Sequence, residues 1–414
     1  MPRMDFLYLG PEGDRIPRPS LLRTLTVSCV LLLPTLLYAQ ASVSEFAGIS
    51  PEPDPEDVES VLFLVGDAGA VDGDGNPVLR HLTDAVENWS EALARDSSVV
   101  VLFLGDNVYP SGYHDPSDRN HERDSIRLGN QISVLGGPQA RAYSARGIFL
   151  PGNHDWGNTN GAEALVLMRN LQDRLGRARE RDDVLVQLLP HAESPGPEIV
   201  DLGATARIIT LDTQWSLAHR IESSRSAAFG ELEAAIAGAG KRDVIVAAHH
   251  PIVTGGKHGG SISVWETMGV RWLLNRTGSI SQDLSSNVYR RLIQGLRLTF
   301  SRGRAPLVYA AGHEHNLQVI SGTKPGDPRF MLVSGSGSKV GDVERTPGTR
   351  FGLAAPGYMR IVFLRDRGVD LTVYATSPEF TTCPNGDGQE RTECMARGAQ
   401  LFETVYSERL TSPR

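Results

Sequence analysis

Short apolar runs that end in polar residues recur along this chain. The run over 99–104 is continuously apolar and passes directly into Gly105, Asp106 and Asn107. A continuous apolar run of this length predicts a strand that is buried on both faces, as in a parallel sheet. The pattern therefore places a carboxylate at the tip of a buried strand, where open α/β sheets carry their ligand sites.

Four further apolar runs, over 61–65, 147–150, 243–248 and 306–311, have the same form. The polar residues that follow them are Asp67, Asn153 and His154, His249 and His250, and His313 and His315. Because parallel strands bring such ends to one edge of a sheet, we expect these side chains to lie close together. The remaining periodicity predicts helices over 79–93, 125–135, 162–181, 227–239 and 287–300, and strands over 207–212, 330–333, 358–363 and 369–374.

The N-terminus has the pattern of a targeting segment. Arg15, Arg18 and Arg23 precede a mostly apolar run over 25–38, and Ala39, Gln40 and Ala41 follow it. This pattern predicts a secretory signal peptide over 1–41, and hence a periplasmic or secreted protein. The apolar run is short for a membrane span, which needs about 20 residues, so no stable membrane anchor is expected. The alternative is an uncleaved signal that tethers the protein to a membrane.

The length of 414 residues, 40% of them hydrophobic, allows one large domain or two ordinary ones. The predicted organisation after the signal is a linker over 42–59, a main domain over 60–375 with a helical insertion over 261–304, and a tail over 376–414. The tail contains Cys383 and Cys394, for which a disulfide is the natural interpretation in an exported protein. Two unpaired thiols are the alternative.

The polar residues at the strand ends are carboxylates, imidazoles and an amide, without a thiol. This donor set favours first-row divalent or trivalent metals over structural zinc or iron–sulfur clusters. Seven donors exceed the four to six or so that one ion takes, and they suffice for two ions if one carboxylate is shared. Singly, Asp67 is also typical of a helix N-cap and Tyr109 of core packing, so the interpretation depends on the set.

Two-metal sites with ions about 3.5–4 Å apart hydrolyse phosphate esters: one ion binds a phosphate oxygen, and a hydroxide held between the ions attacks phosphorus in line. Nearby imidazoles stabilise the developing charge or protonate the leaving oxygen. The net charge of −8 argues against nucleic acid as a partner. The expected partner is therefore a small phosphorylated substrate.

Taken in order, the motifs resemble the signature of the calcineurin-like metallophosphoesterases. They are Gly66-Asp67, Gly105-Asp106-Asn107-x-Tyr109, Gly152-Asn153-His154-Asp155, His249-His250-Pro251 and Gly312-His313-Glu314-His315. The tyrosine three residues after Asp106 is similar to that of purple acid phosphatases, and the segment over 312–318 looks most like the small, tartrate-resistant type. The resemblance covers roughly residues 60–375.

This resemblance implies a fold and an activity. The fold is α/β, a four-layer α/β/β/α sandwich of two mixed sheets flanked by helices. The activity is hydrolysis of phosphate monoesters by a metal-bridging hydroxide. The alternatives are a phosphodiesterase that uses the same dinuclear site, and an exported interaction protein with a vestigial metal site.

The resemblance also implies two metal ions, ferric iron at the first position and iron, zinc or manganese at the second. Asp106 would bridge them. The remaining ligands would be Asp67, Tyr109 and His315 for the first ion, and Asn153, His249 and His313 for the second.

Two further histidines acquire catalytic roles from the same resemblance. His154 would stabilise the phosphate in the transition state, and His258 would lie near the leaving group. The chain departs from many metallophosphoesterases at Gly69, where those proteins have a histidine ligand. Tyr109 fits that vacancy, which favours the purple acid phosphatase branch.

Overall fold

The computed structural model describes residues 43–44, 51–73, 75–158, 161–218, 222–259, 284, 286–377, 379–380 and 389–410. The predicted signal peptide, most of the non-helical part of the predicted insertion, and Cys383 lie outside these residues. Export and the Cys383–Cys394 disulfide therefore stay predictions. Among the described residues, no helix is long and apolar enough to cross a membrane.

The strands follow in chain order. They are β1 (Val43–Ser44), β2 (Val58–Val65), β3 (Ser98–Phe103), β4 (Arg146–Phe149), β5 (Leu185–Leu188), β6 (Glu198–Leu202), β7 (Ala206–Thr210), β8 (Asp243–Ala247), β9 (Val308–Ala311), β10 (Leu317–Ser321), β11 (Phe330–Ser334), β12 (Thr349–Leu353), β13 (Gly357–Leu364), β14 (Val369–Ala375) and β15 (Glu403–Arg409).

The helices of the described chain include all five that the periodicity predicts. They are α1 (Pro77–Ala92), α2 (His121–Ser133), α3 (Pro138–Ala142), α4 (Ala162–Arg181), α5 (Thr213–Ala218), α6 (Glu222–Ala237), α7 (Asn287–Arg302) and α8 (Gln389–Gln400). Local chemistry sets where α1 begins. The Asn76 side chain accepts hydrogen bonds from the N–H groups of Val78 and Leu79, and Pro77 occupies the first turn, where its missing N–H costs nothing.

Within the described residues the strands form two mixed sheets. One has eight strands in the order β1-β12-β10-β11-β9-β8-β7-β6, and the other has seven in the order β15-β14-β13-β2-β3-β4-β5. The strands β2, β3, β4 and β5 run parallel to one another. In the eight-stranded sheet, β7, β8, β9 and β11 are also parallel.

Alternation along the strands produces the layers. In β3, Val99, Val101 and Phe103 belong to the core that α1, α2 and α4 cover. Val100 and Leu102 belong to a second core, which contains side chains from both sheets. A third core packs the eight-stranded sheet against α6 and α7. Because successive side chains of a strand point to opposite faces, a continuously apolar run fills two cores at once. The four-layer α/β/β/α prediction is confirmed.

The chain ends contribute more structure than the sequence pattern predicts. The predicted linker over 42–59 contains β1, which pairs with β12, and the first two residues of β2. The predicted tail over 376–414 contains α8 and β15, and β15 pairs antiparallel with β14. The strands β1 and β15 depend on long-range strand pairing, which local composition does not report.

Candidate metal centre

The strand ends that the sequence pattern selected all meet at one place. Three of them follow β2, β3 and β4 of the seven-stranded sheet, and two follow β8 and β9 of the eight-stranded sheet. The expectation that these residues share the edge of a single sheet is therefore wrong. The site lies where the carboxyl ends of parallel strands from two packed sheets come together.

Glycines allow this close approach. Gly105 has a φ of +89°, and a Cβ atom there would lie 2.6 Å from His249 Nδ1. A Cβ atom at Gly312 would lie 2.7 Å from Asp67 Oδ2. Since real Cβ atoms do not tolerate such distances, a side chain at either position would push the two sheets apart at the site.

Three candidate ligands have a left-handed backbone. The φ values are 57° at Asp67, 56° at Asp106 and 69° at His313. Residues other than glycine rarely adopt this conformation, which costs on the order of 1–3 kcal/mol and concentrates at functional sites. The left-handed conformation changes the direction of the backbone, and with it the direction of the side chain, where each strand ends.

The first set of side chains, here called the tyrosine group, consists of Asp67, Asp106, Tyr109 and His315. The Tyr109 hydroxyl lies 2.9 Å from Asp67 Oδ1, 2.9 Å from Asp106 Oδ2 and 3.2 Å from His315 Nε2. A hydroxyl has one proton and can donate it to only one of these atoms. A cation would satisfy the oxygen atoms and the imidazole together, so the group fits a metal ion.

The second set, here called the imidazole group, consists of Asn153, His249 and His313. Asn153 Oδ1 lies 3.0 Å from His249 Nε2 and 3.1 Å from His313 Nδ1, and the two ring nitrogens are 3.2 Å apart. The three contacts cannot all be hydrogen bonds, because the three atoms share too few protons. The side chains are held in this arrangement by the neighbouring atoms that orient them.

Neighbouring atoms orient the imidazole group. The Asn153 amide donates to Asn158 Oδ1 at 2.7 Å, so its oxygen faces the histidines. His249 Nδ1 lies 2.8 Å from the carbonyl oxygen of Leu104, which can only accept, so Nδ1 carries the proton and Nε2 presents its lone pair in the neutral ring. This is the usual arrangement of a metal-ligating histidine, whose second nitrogen donates to a carbonyl.

Asp106 lies between the two groups. Its Oδ2 accepts from Tyr109, while its Oδ1 accepts from the backbone N–H of His154 at 2.8 Å and is 3.4 Å from His249 Nε2. Donor atoms of Asp67, Asp106 and His249 all lie within 4.8 Å of one another, as do those of His249, His250 and His313. The donor set therefore fits two adjoining cations with the Asp106 carboxylate between them.

Burial and charge set the protonation of the site. Burial, followed by the Asp106 and Asp67 carboxylates, raises the pKa of Tyr109 well above its usual value, so without a cation this residue is a neutral phenol. Burial disfavours a charged His249 ring, but Asp106 and Asp67 outweigh it and raise the pKa of His249. A metal ion would replace these protons as the source of positive charge.

Asp155 holds the loops that carry Asp106 and Asn153. Its carboxylate accepts from the backbone N–H groups of Asn107 (2.9 Å), Val108 (3.0 Å) and Gly152 (2.8 Å), and from the Asn107 amide (2.9 Å). Burial and then the Asp106 charge raise the pKa of Asp155 to about 7. Asp155 lies inside one of the motifs, but this structural role is not predicted from the sequence.

Helix α2 holds the same loop from the other side. Gln131 Nε2 donates to the Asn107 carbonyl at 2.7 Å, and Arg127 Nη1 donates to the Tyr109 carbonyl at 2.6 Å. The helix was predicted, but this function of its side chains was not. Nothing in a helical period indicates which polar side chain reaches a distant carbonyl group.

Lys339 is a member of the site that sequence reasoning missed. Its Nζ lies 3.3 Å from the centroid of the Tyr109 ring. The loop after β11 is fixed to the first ligand loop, because Gly337 N–H donates to the Gly66 carbonyl at 3.0 Å and Ser338 Oγ donates to the Asp67 carbonyl. Burial lowers the pKa of Lys339, against the opposing effect of the nearby carboxylates. The sequence does contain an indication of Lys339. The apolar run over 330–333 ends in a polar loop, as do the five runs whose ends were predicted to form the site.

His154 lies at the edge of the tyrosine group. Its ring is centred 4.2 Å from that of Tyr109, and its side chain is 26% exposed. Nδ1 lies 2.6 Å from the Pro110 carbonyl oxygen, so this nitrogen carries a proton. Nε2 lies 3.9 Å from Asp106 Oδ2. The structure thus brings His154 to the site with one nitrogen held by the backbone.

His258 and His250 lie beside the imidazole group. The His258 ring is centred 4.5 Å from that of His313, and its backbone N–H donates to the buried Glu314 at 2.9 Å. The His250 ring is centred 4.6 Å from that of His313, and its Nδ1 lies 2.8 Å from Thr213 Oγ1. All nine predicted site residues therefore lie in one cluster, and His250 is a buried neighbour that the sequence analysis left without a role.

The sequence matches no protein-family model, and a comparison with curated proteins found no match. Among solved structures, this chain is similar to the anchor in the inner membrane complex of Plasmodium, at 15% identity and a TM-score of 0.49 over 86% of this chain and 90% of that one. It is similar to a purple acid phosphatase from yellow lupin (Lupinus luteus) seeds, at 15% identity and a TM-score of 0.48 over 79% of this chain and 53% of that one.

A third similar structure is a dimetal phosphatase from Danio rerio, at 14% identity and a TM-score of 0.40 over 77% of this chain and 96% of that one. These are likenesses of fold. The two mixed sheets of this chain are features of its own structure, and the chemistry of the site follows from its own side chains.

Proposed function

We propose that this chain is an exported, dinuclear metal-dependent phosphatase that hydrolyses phosphate monoesters. The observation that carries the proposal is the position of Asp106, whose two oxygens face two separate sets of metal-ligating atoms. Two bound cations would activate water as a nucleophile and neutralise the charge on phosphate oxygens. The ligands are the seven residues of the tyrosine and imidazole groups.

The tyrosine group supports a trivalent ion. Asp67 and Asp106 provide two carboxylates, and Tyr109 adds a third anionic oxygen once its proton is displaced. Hard, highly charged cations prefer such oxygen donors. The imidazole group offers two neutral rings and an amide oxygen, which suit a divalent ion. The proposed pair is therefore ferric iron in the tyrosine group, and iron, zinc or manganese in the imidazole group.

His154 is proposed to stabilise the phosphate. Since the Pro110 carbonyl fixes the proton on Nδ1, His154 can donate from Nε2 only as an imidazolium. Such a donor strengthens as charge develops on the transferring phosphoryl group. His258 is proposed to protonate the leaving oxygen. Both roles require a proton on the ring nitrogen that faces the substrate.

Metal analysis together with an activity screen tests the proposal. The purified protein, supplied with ferric and divalent ions, should bind two metal ions per chain and hydrolyse para-nitrophenyl phosphate. It should also act on this monoester faster than on bis-para-nitrophenyl phosphate. Preferential hydrolysis of the bis-ester would favour a phosphodiesterase instead, and full metal content without hydrolysis of either ester would contradict an enzymatic role.

A further inference from the structure

A cavity of about 490 Å³ opens next to the loop that carries His154. Two of its walls come from the chain that follows Pro110 and from the first turns of α4. The lining residues are Ser111, His114, Gly157, Glu163, Val166 and Leu167. None of these was assigned a role by the motifs, and the metal ligands do not line the cavity.

The backbone connects this cavity to the site. Pro110, which precedes Ser111, accepts from His154 Nδ1 at 2.6 Å, and the N–H of Gly157 donates to the His154 carbonyl at 2.8 Å. The segment at Ser111 and the loop at Gly157, which both contribute to the lining, are thus held against His154. The cavity therefore adjoins the segments that hold His154 in place.

The chemistry of the walls is mainly apolar. Glu163, Val166 and Leu167 occupy positions i, i+3 and i+4 of α4, which share one face of a helix. Val166 is 49% exposed, unusually so for a large apolar side chain in this protein. An apolar residue kept at the surface of a cavity lowers its free energy when an apolar ligand covers it.

Among the lining residues, His114 already has a carboxylate partner. His114 Nδ1 lies 2.6 Å from Asp124 Oδ2, and Arg123 also donates to the Asp124 carboxylate. The other nitrogen of His114 is the one available to a hydrogen-bonding group of a ligand. The Glu163 carboxylate in the lining disfavours an anionic group, and the Val166 and Leu167 side chains favour an apolar one. The cavity suits a neutral group.

We infer that this cavity binds the leaving group, and that the preferred substrates are phosphate monoesters of neutral aromatic or branched alkyl alcohols. The volume lies within the range of pockets that hold small organic ligands, and is far larger than an inorganic phosphate requires. The inference rests on the proposed function, since it assumes that the phosphate lies next to His154.

Equilibrium binding of two phosphonates tests the inference without depending on turnover. Phenylphosphonate and methylphosphonate share the group that the metals would bind, and differ in the part that the cavity would hold. In the metal-loaded protein, phenylphosphonate should bind about tenfold more tightly, as expected for the burial of one face of a phenyl ring. Val166→Asp should reduce this ratio to about one, and Val166→Leu should retain it.

Leu298→Asp is the matched control, because Leu298 is 53% exposed on α7 and does not line the cavity. It should leave the ratio unchanged. Equal affinity of the two phosphonates for the wild type, or an unchanged ratio in Val166→Asp, would overturn the inference while metal-dependent methylphosphonate binding still supported the proposed function. Failure of the metal-loaded protein to bind either phosphonate would overturn both.

Discussion

The two halves of the candidate metal centre are built in different ways. The tyrosine group presents three oxygens and one imidazole, and three of its atoms converge on a single hydroxyl. The imidazole group presents two rings and an amide oxygen, each oriented by a hydrogen bond or by direct contact with the others. The tyrosine group therefore brings negatively charged ligands together, whereas the imidazole group brings together neutral ligands whose lone pairs are already oriented. The two halves should therefore respond differently to substitution.

The largest effect is expected at the residue that the two halves share. Asp106→Ala should abolish binding of both ions, because it removes an anionic ligand from each side at once. Elemental analysis of the purified variant measures this directly. Asp327→Ala is the control: that buried carboxylate pairs with Arg297 away from the site, so its loss should lower stability and leave both ions bound. Retention of either ion at full occupancy in Asp106→Ala would show that Asp106 does not bridge.

Tyr109→Phe should affect only the tyrosine group. The wild-type protein loaded with ferric iron should show a visible phenolate-to-iron band, which the variant lacks. Removal of the metals should also abolish the band and leave Tyr109 as a phenol even above pH 10, because burial and the two carboxylates raise its pKa. Absorption spectra recorded against pH test both expectations.

Tyr113→Phe is the matched control for that experiment. Tyr113 is buried in the same loop, and its hydroxyl contacts Ser125 at 3.0 Å instead of the site. It should leave the band intact. A band that survived in Tyr109→Phe, or a colourless active protein that contained ferric iron, would remove the distinction between the two halves.

Asn153→Ala should affect only the imidazole group. The variant should keep the visible band and lose affinity for the divalent ion, by at least the 10–100-fold that is typical of removing an outer partner of a ligand. Titration of the divalent ion into protein already loaded with ferric iron measures this. Asn130→Ala, at an asparagine of α2 that bonds to the Gly73 carbonyl, should bind the ion as the wild type does. Simultaneous loss of the band would mean that the two halves are not separable.

The ligands of both the tyrosine group and the imidazole group could be predicted from local sequence. Each ligand follows a strand whose apolar run is continuous, and burial on two faces requires such a run wherever the strand lies in the sheet. The strand over 99–104 and the position of Asp106 after its end can therefore be predicted without any knowledge of the fold. The helices can also be predicted from local sequence, because each packs one apolar face on a sheet and this face appears as a helical period of apolar residues.

The features that could not be predicted depend on distant partners. Strand β15 has only Val405 and Tyr406 as apolar residues among charged and polar ones, so it lacks a continuous apolar run, and it pairs with β14 through partners such as Arg409 and Asp370. The division of the strand ends between two sheets depends on close approaches such as that of Gly312 to Asp67. The position of Lys339 depends on a loop that is fixed to a segment some 270 residues earlier, through the hydrogen bond from Ser338 to Asp67. Periodicity contains no information about such contacts.

The smallest effect is expected at Lys339, and it should refine the comparison without breaking it. An ammonium group near the face of a ring stabilises negative charge on that ring. Lys339→Met should therefore raise the energy of the Tyr109 phenolate electrons and shift the visible band to longer wavelength, with both ions retained. Lys339→Arg keeps the charge and should restore the wild-type wavelength. The exposed Lys324→Met should shift nothing. Because Lys339 lies over Tyr109 and not over the imidazole group, the affinity for the divalent ion should not change; a change there, with an unmoved band, would place the lysine charge on the other half of the site.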